Sequence, residues 1–138
     1  MSGDLVLTIP SIAGFAEAAC AAFVERYGFE LVFPEGFDLY EQAGWLPCSV
    51  AVSGAGQTLD TGFEAYLSGP RDAPGNEELL LCVSDDGPAW VLAHAVAAYF
   101  VSELGGQLED PQSGKIYSRD NVGALNSAVS ELLAEVAW

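Results

Sequence analysis

The sequence predicts an α+β domain in which an antiparallel sheet of about five to six strands packs against three helices, mainly on one face. Three observations support this. The middle of the chain holds several short segments that alternate apolar and polar residues, as strands do. Three other segments repeat apolar residues at spacings of three and four, as amphipathic helices do. Strands and helices do not alternate regularly, which argues against a doubly wound parallel sheet.

The chain is expected to form a single domain over residues 1–138. Its 138 residues fit one domain of common size, and its hydrophobic fraction of 51% is enough for a full core. The first predicted strand covers residues 4–9, where Leu5, Leu7 and Ile9 alternate with Val6 and Thr8.

A helix is predicted after this strand, with Ser11 as its N-cap. Its apolar stripe includes Ile12, Phe15, Ala19, Phe23 and Tyr27. Gly28 is expected to end the helix, because glycine tolerates the left-handed conformation common at that position.

Four further strands are predicted in the middle of the chain, at residues 29–33, 47–53, 61–68 and 78–83. The glycines of residues 54–56 indicate a turn between two of these strands. Residues 69–76 are dense in Gly, Pro, Asp and Asn, which indicates a long connection.

The C-terminal part begins with a helix-start signal, in which Asp85 or Asp86 serves as the cap and Pro88 lies in the first turn. The helix over residues 88–104 is apolar on nearly every side and is therefore expected to be central. A hairpin is predicted over residues 107–118. A last helix, over about residues 120–138, has one apolar face.

The charge of the chain limits its partners. Four Lys and Arg against 20 Asp and Glu give a net charge of −16. Such a protein repels the phosphates of nucleic acid and the headgroups of anionic lipids, so neither nucleic acid nor a membrane is the expected partner. A basic protein is attracted and steered toward it. The alternative is that the charge serves only solubility.

A cytoplasmic location is expected. The N-terminus has no basic residue before a short apolar run, unlike a secretory signal. The longest apolar stretch, residues 89–101, is shorter than the ~20 residues of a membrane-spanning helix. Cys20, Cys48 and Cys82 form no CxxC motif, and their apolar surroundings predict buried free thiols.

No catalytic, cofactor or metal site is predicted. His94 is the one histidine, and its place in the most apolar segment predicts a core or interface residue. One histidine with scattered cysteines does not make a common zinc site. The acidic pairs at residues 77–78 and 109–110 are interpreted as solvated charge. The alternative is an enzyme or small-molecule site that uses His94 and nearby carboxylates.

The predicted partner-binding segment is acidic and aromatic. Residues 29–45 contain five aromatic residues and four acids but no Lys or Arg. Aromatic residues are common at binding hot spots, and a rim of carboxylates suits a basic target. Phe37 and Tyr40 lie between turn residues and are expected to be exposed. The predicted contact residues are Glu35, Phe37, Asp38, Tyr40 and Glu41. In the alternative reading, Phe29, Phe33 and Trp45 are structural.

Two segments of the sequence resemble segments found in one class of small bacterial proteins. Residues 84–90 (Ser-Asp-Asp-Gly-Pro-Ala-Trp) form a strand-to-helix turn. Residues 104–117 run from a helix end at Gly-Gly through an Asp-Pro-Gln-Ser-Gly turn to Tyr117. This arrangement resembles small acidic cytoplasmic immunity proteins of bacterial toxin systems. The resemblance implies a non-catalytic protein that neutralises a basic toxin or effector by stoichiometric binding. A homo-oligomeric structural domain, including a homodimer, is a further alternative.

Overall fold

The computed structural model describes residues 3–52, 58–68, 77–84 and 86–136. These residues form ten α-helices and β-strands. They also form single-turn 3₁₀ helices at Glu25–Tyr27, Leu39–Glu41 and Arg119–Asn121. The order is β1 (Gly3–Ile9), α1 (Glu17–Val24), β2 (Phe29–Val32), β3 (Ala43–Val52), β4 (Thr58–Ser68), β5 (Glu77–Val83), α2 (Gly87–Leu104), β6 (Gln107–Asp110), β7 (Lys115–Tyr117) and α3 (Val122–Glu135).

In this described part of the chain the strands form one sheet in the order β2-β3-β4-β5-β1-β6-β7. Every neighbouring pair is antiparallel. The predicted α+β class and antiparallel sheet are therefore confirmed, with seven strands where about five to six were expected. The N-terminal strand β1 lies inside the sheet, between β5 and β6, which come much later in the chain.

One face of the sheet forms the core. Leu5, Leu7 and Ile9 of β1 are fully buried, as are the facing residues Leu79 and Leu81 of β5. α2 packs across this face, against β1, β4, β5 and β6, while α1 and α3 flank α2. Strand alternation therefore places one set of side chains under the helices and the other set on the opposite surface.

The central position of α2 is confirmed. Every residue from Ala89 to Val101 is buried, as expected for a helix that is apolar on nearly all sides. The helix ends at Gly105, whose φ of 70° lies in the left-handed region. Arg119 then donates to the carbonyl oxygens of Ser102 and Glu103, at 3.1 Å each, and so satisfies two acceptors of the last turn. No described helix is both long and apolar enough to cross a membrane.

The predicted start of the first helix was wrong. α1 begins at Glu17, and Ser11 instead accepts a hydrogen bond from the amide of Ala13 in a short turn. Ile12 lies before the helix because its amide is held by the Glu77 carboxylate, at 2.8 Å, within the core. The predicted end was right, since Gly28 has a φ of 93°.

Two predictions about acidic residues also need correction. Glu77 is not solvated: it is 4% exposed and holds the Ile12 amide. Asp86 is the N-cap residue of α2, but its carboxylate accepts from the Thr61 hydroxyl rather than from the helix. Asp85, the turn at residues 54–56 and the connection at residues 69–76 lie outside the described residues.

Candidate functional site: the open face of the sheet

The surface opposite the helices is the main candidate site. Strand alternation turns its side chains away from the core, and we call this surface the open face. Its larger side chains are Asp4, Val6, Glu30, Val32, Trp45, Asp60, Glu64, Tyr66, Glu78, Leu80, Cys82, Glu109 and Ile116.

The strand register brings these residues into rows. One row runs across four strands and consists of Trp45, Glu64, Cys82 and Asp4. The next row runs across five strands and consists of Tyr66, Leu80, Val6, Glu109 and Ile116. Residues that are directly opposite on one face lie within contact distance. Side chains from distant parts of the sequence therefore form one continuous surface.

Acidic and apolar side chains lie side by side on the open face. Its carboxylates are Asp4, Glu30, Asp60, Glu64, Glu78 and Glu109, all of them exposed. Among the described residues, no Lys or Arg lies on this face. Three of its apolar side chains are unusually exposed: Val32 by 61%, Trp45 by 57% and Ile116 by 51%. Large exposed apolar groups among carboxylates are typical of a binding surface.

The negative field of this surface acts on its own titratable groups. The Tyr66 hydroxyl donates to Glu64 at 2.6 Å, and this bond is the main reason that the pKa of Tyr66 is raised. Partial burial, a hydrogen bond with Asp4 and the charges of Asp4 and Glu64 raise the pKa of Cys82 to about 11. Both shifts favour the neutral forms, mainly through burial for Cys82 and through the Glu64 hydrogen bond for Tyr66, and nearby carboxylates add to them because they oppose further negative charge.

Gly62 leaves room for the indole of Trp45 to lie over the sheet. A Cβ at Gly62 would lie 3.1 Å from Cζ2 of Trp45 and would also collide with the Leu46 carbonyl oxygen. Glycine thus lets the indole lie across the neighbouring strand while most of its surface stays in solvent. This indole is the largest exposed apolar group of the open face.

The predicted contact segment, residues 35–41, lies elsewhere. Phe37 is half-buried, so its predicted exposure was wrong: it stacks on Phe33 at 5.0 Å and meets Phe15 edge to face at 6.0 Å. Tyr40 is 39% exposed, as expected, and Glu35 and Glu41 are exposed.

Asp38 has a local structural role in this segment. Its carboxylate accepts from the Tyr40 amide at 3.0 Å and caps a short 3₁₀ helix, Leu39–Glu41. Leu39 in turn enters the core. The segment therefore packs onto the helix-covered side of the sheet, and the structure does not bring its acids together with those of the open face.

The other candidate groups divide between core and surface. His94 is buried, as predicted, and its Nδ1–H donates to the Trp90 carbonyl oxygen at 2.8 Å. All three cysteines are free. Cys20 and Cys48 are buried as predicted, whereas Cys82 is half-buried on the open face. The described residues contain no group of three or more His, Cys, Asp or Glu arranged to hold a metal ion.

The chain was compared with protein-family models, curated proteins and solved structures. No protein-family model, curated protein or solved structure matches this chain.

Proposed function

We propose that this chain is a non-catalytic immunity protein that neutralises a basic bacterial toxin or effector domain by stoichiometric binding. The open face carries the proposal, because it presents six carboxylates, Asp4, Glu30, Asp60, Glu64, Glu78 and Glu109, and no Lys or Arg among the described residues. A basic surface is steered toward such a face and finds complementary charge across a broad area.

The aromatic and apolar groups favour a protein as the partner. Trp45 and Tyr66 lie in adjacent rows, Tyr66 lies directly opposite Leu80, and Ile116 ends the same row on β7, so apolar contact is available among the carboxylates. Trp and Tyr are enriched at the centres of protein interfaces, where they supply most of the binding energy. Simple solubility would require the charges but not these exposed rings.

Self-association through the open face is disfavoured by the same charges. Two copies that met face to face would bring six carboxylates against six others with no Lys or Arg from this face between them. Such like-charge contact costs several kcal/mol in a desolvated interface. A basic partner therefore fits better than a second copy. The free thiols of the chain suit the reducing cytoplasm, where we place the complex.

Affinity capture with matched charge variants tests the proposal. The tagged chain, the variant E64Q/E78Q/E109Q and the control variant E17Q/E25Q/E103Q are used to retain proteins from the native source. The control removes the same charge from exposed glutamates on the helical side. We expect the unmodified chain and the control to retain one basic protein at near-equal stoichiometry. The open-face variant should retain much less, and raised salt should weaken all three.

Neutralisation is then tested in cells. Expression of the retained protein alone should arrest growth, and co-expression of the unmodified chain should restore it, while E64Q/E78Q/E109Q should restore it poorly. A retained protein that is harmless to cells would refute the immunity function. Equal retention by both variants would refute the open face as the binding surface.

A further inference from the structure

A second site lies on the helical side of the molecule. A cavity of about 410 Å³ opens between α2, the β6–β7 hairpin and α3. Its walls include Trp90 and His94 of α2, Asp110 and Tyr117 of the hairpin, and Glu131 of α3. This volume is in the range of small-molecule sites, and the mixture of aromatic walls and a few polar groups is typical of them.

His94 presents a hydrogen-bond acceptor to this cavity. Its Nδ1 lies 2.8 Å from the Trp90 carbonyl oxygen, and a carbonyl can only accept, so Nδ1 carries the proton. In the neutral ring Nε2 then has a free lone pair. Burial lowers the pKa of His94 more than the Trp90 carbonyl and Asp110 raise it, which keeps the ring neutral at pH 7.

The lone pair on Nε2 has no donor among the residues that the structure describes. No hydrogen bond to Nε2 is formed by the described residues, although the side chain is only 7% exposed. Every fully buried side-chain nitrogen or oxygen in the described part of the chain has a partner, so Nε2 itself is reached from the cavity. A buried acceptor left open in this way is suited to a ligand that brings an N–H donor.

The charges around the cavity favour a ligand that carries a positive charge. Asp110, Glu131 and Glu135 contribute three carboxylates, against one ammonium from Lys115. The Trp90 ring lies beside His94, with ring centroids 5.3 Å apart, and offers an aromatic wall to a cation. An anion would be repelled, and a neutral ligand would leave the excess negative charge unpaired.

We propose that this cavity binds a small organic cation with N–H donors, an alkylguanidinium or a primary alkylamine, with one N–H donated to Nε2 of His94. The cation is either a free metabolite or the side chain of an arginine or lysine in a peptide. The site is independent of the open face, because the hairpin turns Asp110 and Tyr117 toward the cavity and Glu109 and Ile116 toward the opposite surface.

Two probes of equal shape test the charge requirement. N-butylguanidine is titrated into the ¹⁵N-labelled chain, and the Nε2 resonance of His94 is followed by NMR. N-butylurea, its neutral isostere, serves as the control. We expect a saturable Nε2 shift with the guanidine at millimolar concentration and at least tenfold weaker binding of the urea. No saturable shift with the guanidine, or equal binding of both probes, would overturn the proposal.

Variants locate the site. H94F removes the lone pair but keeps an aromatic ring, and it should weaken guanidine binding at least tenfold, as measured by calorimetry. E131Q/E135Q changes only exposed groups, so it tests the site even if H94F does not fold, and it should weaken binding several-fold. The control E17Q/E25Q should bind like the unmodified chain. Unchanged affinity in E131Q/E135Q would overturn the proposed site.

A third titration distinguishes the two sources of the cation. Acetyl-Gly-Arg-Gly-amide carries the same guanidinium on a peptide backbone. Binding as tight as that of butylguanidine, and equally sensitive to E131Q/E135Q, would assign the site to a peptide side chain. Binding at least tenfold weaker than that of butylguanidine would assign it to a free metabolite.

Discussion

The segment of residues 35–41 and the open face both contain acidic and aromatic residues, but the two regions hold these residues in different ways. Both combine exposed carboxylates with aromatic rings. In the segment, the aromatic Phe37 turns inward onto Phe33 and Phe15, and Asp38 caps a turn. On the open face, Trp45 is turned outward and lies directly opposite the exposed Glu64 of β4.

The difference shows that acidic and aromatic composition does not by itself determine which aromatic side chains are exposed. A short irregular segment has little regular structure of its own, so its apolar residues attach it to the core. A strand is already held by its neighbours through backbone hydrogen bonds. Its outward residues are therefore free to remain exposed, and the proposal that the open face binds the partner rests on this property.

Removing an aromatic ring from each region should give the largest contrast, in stability. F37A should lower the free energy of unfolding by about 2–3 kcal/mol, because it opens a hole in a stacked aromatic cluster. W45A should lower it by less than about 1 kcal/mol, because most of the indole is already in solvent. Urea unfolding followed by circular dichroism measures both values. Equal losses would contradict the structural distinction between the two regions.

Partner affinity should show the reverse order. W45A should weaken binding of the captured partner by about 2 kcal/mol, roughly 30-fold, as expected for an interface hot spot. Y40A, on the segment, should weaken it by less than about 0.5 kcal/mol. Calorimetry on the purified complex measures both. If Y40A weakened partner binding as much as W45A or more, the interface would include the segment of residues 35–41 rather than the open face.

Part of this distinction could be predicted from the sequence. Alternation along β1 correctly separates Leu5 and Leu7 from Val6 and Thr8, and the apolar character of α2 correctly predicts that it is buried. The row from Trp45 to Asp4 was not predicted, because it depends on strand order: β1 enters between β5 and β6. Such non-local pairing leaves no trace in a local pattern.

The missed residues did carry one usable signal. Glu64 and Tyr66 alternate with the apolar residues of the predicted strand at residues 61–68, and Glu78 and Leu80 follow the same period in β5. Grouping the outward positions of all strands would have collected most acids of the open face before any strand order was known. The cavity at His94 leaves no such signal, because it depends on how α3 and the hairpin pack beside α2.

Thiol chemistry can report on the open face without any mutation. Iodoacetamide should modify Cys82 at least tenfold faster than Cys20 or Cys48, because Cys82 is accessible and the other two are buried. Its pKa of about 11 means that the thiolate fraction, and hence the rate, should rise about tenfold per pH unit between about pH 8 and about pH 10. Mass spectrometry of tryptic peptides measures each site.

The bound partner should protect Cys82 in the same experiment. Cys82 lies between Glu64 and Asp4 in the row that begins at Trp45, so a protein seated on the open face covers it. We expect modification to slow at least several-fold in the complex. The C82S variant, which should show no fast modification, is the control. Unprotected Cys82 in a saturated complex would exclude this row from the interface.

The smallest effect should come from the acids of the segment. The variant E35S/D38S/E41S removes three charges, as does E64Q/E78Q/E109Q, so the two differ in where the charge is lost. Long-range steering depends on charges near the docking surface, because solvent screens the field over about 8 Å at physiological salt. The association rate measured by stopped-flow fluorescence should fall about tenfold for the open-face variant and less than about threefold for the segment variant.

Loss of the Asp38 cap also lowers the stability of the segment variant modestly, and a thermal melt measures this effect separately from the association rate. Equal slowing by the two variants at low salt would mean that net charge alone steers the partner. It would contradict the proposal that the open face is the docking surface.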